Sequence, residues 1–309
     1  MNKADFKLKI LIAVNVILAA LLIGMYIFLP DKKIIKAVEE QSAPPPSSIT
    51  VEFYDMLRAE LGEDTSKFAV YFRRPALDRE PLIFQSRPMR PASMIKMFVM
   101  AKAMADVKDG ALSLDEHLIL TPENMVGGAG SIAGEGVGAQ VPVRRLIELM
   151  IIESDNTATN ILIDRLGMDN LNKYLRDNGY TDTIINHKMM LDAGKNTNLS
   201  SVRDLGTLFN RIYKHACVDE QRDLLMIDYL LRQEDTDCFP KALPLWNIAH
   251  KTGEVEGLYD DGGIFYGADG DFILVIMNDD IDGREDTLDH MKAIAVRAAQ
   301  ISNTKTYGE

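Results

Sequence analysis

Leu146-Ile-Glu-Leu-Met-Ile-Ile-Glu-Ser-Asp-Asn-Thr-Ala-Thr-Asn-Ile-Leu-Ile163 is the most informative stretch of this 309-residue chain. Apolar side chains recur at helical spacing on both sides of one polar interruption, Ser154-Asp-Asn156. The spacing predicts two helices, Val143 to Ile152 and Thr157 to Leu166, meeting at that corner, with a third from Asp169 to Asn178. Taken alone, the triplet is an ordinary turn between helices.

Upstream, Val51 to Leu61 reads as a helix. Phe68 to Phe72 and Pro81 to Phe84 read as strands of a hairpin. Ala92 to Val107 is helical, with Met97, Met100 and Met104 on one stripe that fits core packing better than cofactor binding. The glycine-rich run Val126 to Gly134 is not followed by Gly-Lys-Ser/Thr and lacks a strand–turn–helix frame, so it reads as a loop.

Downstream, Ser201 to His215 and Asp219 to Arg232 are predicted helices, the first opening on a Ser201-x-x-Asp204 capping pattern. Three short apolar runs follow, Trp246 to Ala249, Gly262 to Tyr266 and Phe272 to Met277, spaced as an antiparallel meander. A last helix is expected from Thr287 to Ile301. Strands at both ends with helices between them predict an α+β fold.

Composition removes several functions. Lys and Arg total 34 against 46 Asp and Glu, a net charge of -12, and no basic block is present to meet nucleic acid. Two cysteines, Cys217 and Cys238, exclude a disulfide scaffold and a cysteine-rich metal centre. They are compatible with one bridge or with two free thiols. His117, His187, His215, His250 and His290 follow no metal-ligand spacing, so neither a metal nor another cofactor is expected.

The first 48 residues stand apart. Ile10 to Pro30 carries no charge, and a helix of that length spans roughly 30 Å, the thickness of a bilayer's hydrocarbon core. It ends Met25-Tyr-Ile-Phe-Leu-Pro30 without a small-residue cleavage site, which favours an uncleaved anchor over a signal peptide. The expected layout is a cytoplasmic tail over 1–9, a transmembrane helix over 10–30 in the cytoplasmic membrane, a linker over 31–48 and a folded domain over 49–309. Residues 1–48 carry a net +2, leaving about -14 for the rest. The linker contains Ala43-Pro-Pro-Pro46, which is expected to be extended and semi-rigid. Lysines flank the span on both sides, and the short tail is expected to stay inside, with the domain outside the cytoplasm. A monomer is expected.

Three triplets or pairs carry chemistry: Ser93-Met-Ile-Lys96, Ser154-Asp-Asn156 and Lys251-Thr-Gly253. Ser-x-x-Lys arises by chance roughly once in a few hundred residues, and Ser302-Asn-Thr-Lys305 is a second instance in a polar tail. The conjunction of all three in suitable elements is what matters. Residues i and i+3 of a helix share a face, so Lys96 reaches the Ser93 hydroxyl. Ser93 stands near a helix N-terminus, where backbone amides favour developing negative charge. A serine needs a base, and a desolvated lysine beside a second cation, here Lys251, can serve. Ser154 is placed to pass a proton to a leaving nitrogen, and Asn156 to hold a substrate amide carbonyl. His250 reads as a strand residue beside Lys251.

These motifs resemble those of the penicillin-recognising serine enzymes, and more closely the class A β-lactamases. The resemblance extends to the helix pair Leu146 to Ile163 and to Lys251-Thr-Gly253 followed by Gly262-Gly-Ile-Phe-Tyr-Gly267, and covers residues 50–303. It implies an antiparallel sheet flanked by helices beside an all-helical lobe, with the serine between them. It further implies an oxyanion hole from the backbone amides of Ser93 and Glu254, and substrate binding by Thr252 and Gly253 with Asn156. The reaction implied is acylation of Ser93 with opening of a β-lactam ring, then hydrolysis of the acyl-enzyme.

One departure bears on the second step. The family carries a Glu-x-x-Leu-Asn loop whose glutamate activates the deacylating water. The matching stretch here is Ile185-Asn-His-Lys-Met-Met-Leu-Asp-Ala-Gly-Lys-Asn196, which has no glutamate. Met189 aligns near the missing carboxylate, and Asp192 is the acid left to replace it or to be a plain loop residue. The alternatives to a β-lactamase are therefore a D-alanyl cell-wall peptidase or esterase, and an acylatable sensor that deacylates slowly.

Overall fold

The computed structural model describes residues 48–191, 196–268 and 270–302. The expected tail, membrane span and all but the last residue of the linker lie outside the described residues, as does Asp192. The described chain opens with α1 (Ser48–Leu61), a 3-10 turn (Gly62–Lys67) and two strands, β1 (Phe68–Arg73) and β2 (Leu82–Phe84). A second 3-10 turn (Ala92–Ile95) leads into α2 (Lys96–Lys108). The small strands β3 (His117–Ile119) and β4 (Gln140–Pro142) pair with each other. Helices α3 (Val143–Ile152), α4 (Asn156–Leu166), α5 (Met168–Asp177), α6 (Val202–Tyr213) and α7 (Glu220–Leu231) follow. The short α8 (Phe239–Ala242) precedes β5 (Asn247–Val255), β6 (Leu258–Tyr266) and β7 (Phe272–Asn278), and α9 (Arg284–Ser302) closes the described chain.

The main sheet has the order β2-β1-β7-β6-β5, antiparallel at every junction. Its alternating side chains feed two cores. On one face, Phe68, Val70, Phe72, Phe272, Leu274 and Ile276 pack with Phe53 and Leu57 of α1 and Met291 and Ile294 of α9. On the other face, Tyr71, Ile273, Val275 and Met277 join the helical lobe, including Met97, Phe98, Leu146, Ile147, Leu162 and Phe209. β7 is buried on both sides, which explains its unbroken apolar sequence. Each such Phe, Ile or Leu contributes about 1.5–3 kcal/mol by leaving water. The stripe Met97, Met100 and Met104 is wholly in this second core.

The α+β architecture is the one expected, and two local readings change. The three short apolar runs near the end belong to strands of seven to nine residues. The polar Lys251-Thr-Gly-Glu254 and Asp260-Asp261 interrupt the apolar pattern but not the ladder, which pairs Lys251 with Gly262 and Thr252 with Asp261. The helix after Pro91 starts as a 3-10 turn, so Ser93 precedes the α-helix proper, which begins at Lys96. Cys217 and Cys238 are both free thiols.

Candidate active site

Three elements converge where the two cores meet the edge of the sheet. The first is the 3-10 turn that carries Ser93. Ala92 before it has φ 41°, a left-handed conformation that costs a non-glycine residue of order 1 kcal/mol or more. Lys96 opens α2 one 3-10 repeat later, and in such a turn residues three apart eclipse. Its Nζ lies 3.0 Å from Ser93 Oγ.

The second element is the corner between α3 and α4. Asp155 is the N-cap of α4, accepting from the Ala158 amide at 2.7 Å. Its other oxygen accepts from the Ile132 amide at 2.8 Å, which ties the glycine-rich loop to the corner. That loop also accepts the Asn156 amide at Ala129 O, 3.1 Å, and the Asn156 side chain donates to Gly127 O at 3.2 Å. A Cβ on Gly128 would fall 2.6 Å from Asn156 Nδ2, and one on Gly130 would overlap the Asp155 carboxyl. The loop is glycine-rich because it lies flush on this corner. Ser154 itself has φ 56°, a second non-glycine residue held left-handed.

The third element is β5, the edge strand. A Cβ on Gly253 would lie 2.6 Å from Pro91 O and 3.1 Å from the Met94 amide nitrogen, so strand and nucleophile turn touch backbone to backbone. Val255 and Leu258 close the two-residue turn Glu256–Gly257 and form its hydrogen-bonded pair. Glu254 is therefore at a non-hydrogen-bonded position, and its N–H faces away from β6.

The buried charges are arranged for proton transfer. Lys96 is fully buried, and its Nζ meets Ser154 O at 2.5 Å, Asn156 Oδ1 at 2.8 Å, Ser154 Oγ at 3.1 Å and the Ser93 hydroxyl. Burial, and then the charge of Lys251, hold its pKa well below the usual lysine range, with Asp155 opposing. A neutral amine has two N–H groups and one lone pair. The Ser154 carbonyl and Asn156 Oδ1 can only accept, so they take both N–H groups. The lone pair is left for a hydroxyl. Lys251, also fully buried, donates to Ser154 Oγ at 3.0 Å and to Thr252 O at 2.9 Å. Burial pushes its pKa down to about 8, against the pull of Asp235 and Asp261.

A cleft of about 240 Å³ opens over these groups, lined by Ser93, Ala129, Ser154, Thr252 and Glu254 among others. Ser93, Lys96, Ser154, Asn156, Lys251, Thr252, Gly253 and Glu254 thus share one place. Sequence reasoning missed Asp155 as the anchor of the corner, the glycine loop as a wall, and Asn160. Asn160 Oδ1 accepts from the Met189 amide at 2.7 Å, and its Nδ2 donates to Met189 O at 3.1 Å. The Asn four residues after Asn156 on a helix is the signal that was available. Met190 Sδ lies 3.4 Å from the Cβ position of Gly128. Beneath β5, His250 Nδ1 and Asp261 Oδ1 form a buried pair at 3.0 Å.

A model of the family described as the beta-lactamase enzyme family matches residues 52–303. A curated beta-lactamase from Streptomyces lavendulae is 26% identical over 219 residues, 67% of this chain and 72% of that protein. Among solved structures, a beta-lactamase from Sphaerobacter thermophilus superposes with a TM-score of 0.74 at 21% identity, covering 81% of this chain and 96% of that one. PBP-A superposes with a TM-score of 0.73 at 25% identity, covering 84% and 98%, and a single-residue variant of PBP-A, solved as its acyl-enzyme complex with penicillin G, gives the same figures.

Proposed function

Because the chain belongs to the beta-lactamase enzyme family, we propose that it is a membrane-anchored serine hydrolase that opens β-lactam rings through an acyl group on Ser93. The observation that carries this reading is the buried Lys96 amine 3.0 Å from Ser93 Oγ, with both of its N–H groups already taken. Ser93 Oγ attacks the lactam carbonyl carbon, and its proton passes to Lys96 Nζ. The developing oxyanion sits against the N–H groups of Ser93 and Glu254. As the C–N bond breaks, the ring nitrogen takes the Ser154 hydroxyl proton, and Lys96 returns the proton to Ser154. Lys96 ends neutral and the ring nitrogen protonated. Charged Lys251 steadies Ser154, Thr252 binds a substrate carboxylate, and Asn156 and Gly253 line the bound acyl chain. Residues 10–30 anchor a monomer in the cytoplasmic membrane with the domain outside.

A second reading is favoured by the loop held on Asn160. It places Met189 and Met190 beside the corner, and the acids that line the cleft, Glu153, Glu234, Asp235 and Glu254, lie instead on the side of Ser154 and β5. On this reading acylation is fast and deacylation slow, as in a penicillin-binding sensor or a D-alanyl peptidase or esterase that β-lactams trap. Asp192 is the remaining candidate for the water-activating base.

The test uses the full chain, a chromogenic β-lactam and the Ser93→Ala control. Sustained turnover lost in the control supports the hydrolase, and loss of that turnover in Asp192→Asn assigns the base. A stoichiometric burst followed by a stable adduct on Ser93 supports the second reading. No burst and no adduct overturn both.

A further inference from the structure

The lip of the cleft on the Ser154 side is acidic and, among the described residues, lacks counter-ions. Glu153 directly precedes Ser154, and the Glu234 amide donates to Ile152 O at 3.1 Å, which brings the main chains of the two glutamates close together. Both line the cleft that holds Ser93. Among the described residues neither has an ion-pair partner, although most carboxylates around them do. Glu254 is held by Arg284 at 2.7 and 3.2 Å, and the same arginine holds Asp237 at 2.8 Å. Asp235 accepts from Tyr259 OH at 3.1 Å. Among the described residues no lysine or arginine lines the cleft itself, and the Nζ groups of Lys96 and Lys251 are spent on Ser93, Ser154, Asn156 and Thr252.

An independent feature marks the same spot. Gln233 lines the cleft, is 7% exposed, and its Nε2 has no hydrogen-bond partner, while its Oε1 accepts from the Asp235 amide at 3.3 Å. A buried amide donor left unmatched destabilises the protein, and a bound acceptor would match it. Two unpaired carboxylates lining one cleft repel an incoming carboxylate and favour a cation.

Resting on the acyl-Ser93 reading, we infer that Glu153 and Glu234 select substrates whose leaving-group side carries a second, protonated amine. The side follows from Ser154, the residue that serves the leaving nitrogen and adjoins Glu153. A ligand matching this site is zwitterionic: a carboxylate toward Thr252, an ammonium at the two glutamates, and a carbonyl or hydroxyl within reach of the Gln233 amide.

The probes are a carbapenem bearing a free pyrrolidine amine on its ring substituent and the same compound with that amine N-acetylated. Acylation rates of Ser93 are read by intact-mass spectrometry on the full chain at low and high salt. The free amine is expected to acylate about five- to tenfold faster at low salt, with the ratio falling as salt screens the lip. The ratio is expected to collapse toward one in Glu153→Gln/Glu234→Gln. Glu234→Lys, at an exposed position, is expected to invert it, and provides the test should the double variant fail to fold. A ratio near one in the natural protein, or one unchanged in these variants, overturns the inference while leaving the acyl-enzyme reading intact. Absence of both an adduct and Ser93-dependent consumption of either compound overturns that reading, and this inference with it.

Discussion

Lys96 and Lys251 converge on one atom, the hydroxyl oxygen of Ser154, at 3.1 and 3.0 Å. Two ammonium groups so close in a buried site disfavour each other, and the amine with the less favourable environment stays neutral. Lys96 is the more strongly lowered, and Lys251 titrates at about 8. The acylation rate should therefore rise with pH as Lys96 loses its proton and fall above about 8 as Lys251 loses its own. Lys251→Gln removes the alkaline limb. It also removes a positive neighbour that lowers Lys96, so the acid limb moves to higher pH. A pH profile of Ser93 acylation in both proteins checks this. An alkaline limb that persists near 8 in the variant would assign it to another group.

Gly253 meets the nucleophile turn where a methyl group cannot fit, 2.6 Å from Pro91 O. Gly253→Ala must push β5 away from residues 91–94, and with it the outward N–H of Glu254. A shift of about 1 Å in a positioned group costs roughly 10²-fold in rate. The variant should fold, bind β-lactams weakly and acylate about a hundredfold more slowly. Near-normal acylation would mean that β5 does not set the oxyanion geometry.

The fold was legible where side chains repeat. The helix pair around Ser154, the helix of Lys96 and the final meander follow from apolar spacing alone. The strand lengths were not, because Lys251, Thr252, Asp260 and Asp261 are buried polar residues whose partners lie on other elements. Ser93, Lys96, Ser154 and Lys251 were legible because motifs encode chemistry in short spacings. Asp155 and Asn160 were not, since their work is to hold main-chain groups 23 and 29 residues away. The glycine run had no local meaning either; its glycines answer to Asp155 and Asn156 across the corner.

Asp155 holds two backbone amides on different segments, Ala158 at 2.7 Å and Ile132 at 2.8 Å, and is 1% exposed. Asp155→Ala removes a helix cap and orphans a buried donor, for a loss of about 2 kcal/mol. The glycine loop should loosen in the same step. Denaturant unfolding should show the loss, and limited proteolysis should cut within 126–134 faster than in the natural protein. Intact resistance there would mean that Ala129 and Gly127 hold the loop without Asp155.

Asn160 fixes Met189 through its main chain alone, at both N–H and C=O. It lies one helical turn beyond Asn156, whose Oδ1 is 2.8 Å from Lys96. The main chain at 189 is thus fixed without help from the side chain, which packs half-buried against the helical core, so a carboxylate can be introduced there with the loop's backbone still held, at the loss of that packing. Met189→Glu supplies a base near the site of the ester. Its expected effect is selective: acylation by a β-lactam changes by less than about threefold, while the adduct on Ser93 decays at least tenfold faster. Time-resolved mass spectrometry of the adduct separates the two steps. If the adduct of the natural protein already turns over rapidly, or if the glutamate leaves its lifetime unchanged, residue 189 is not where the deacylating water must be activated.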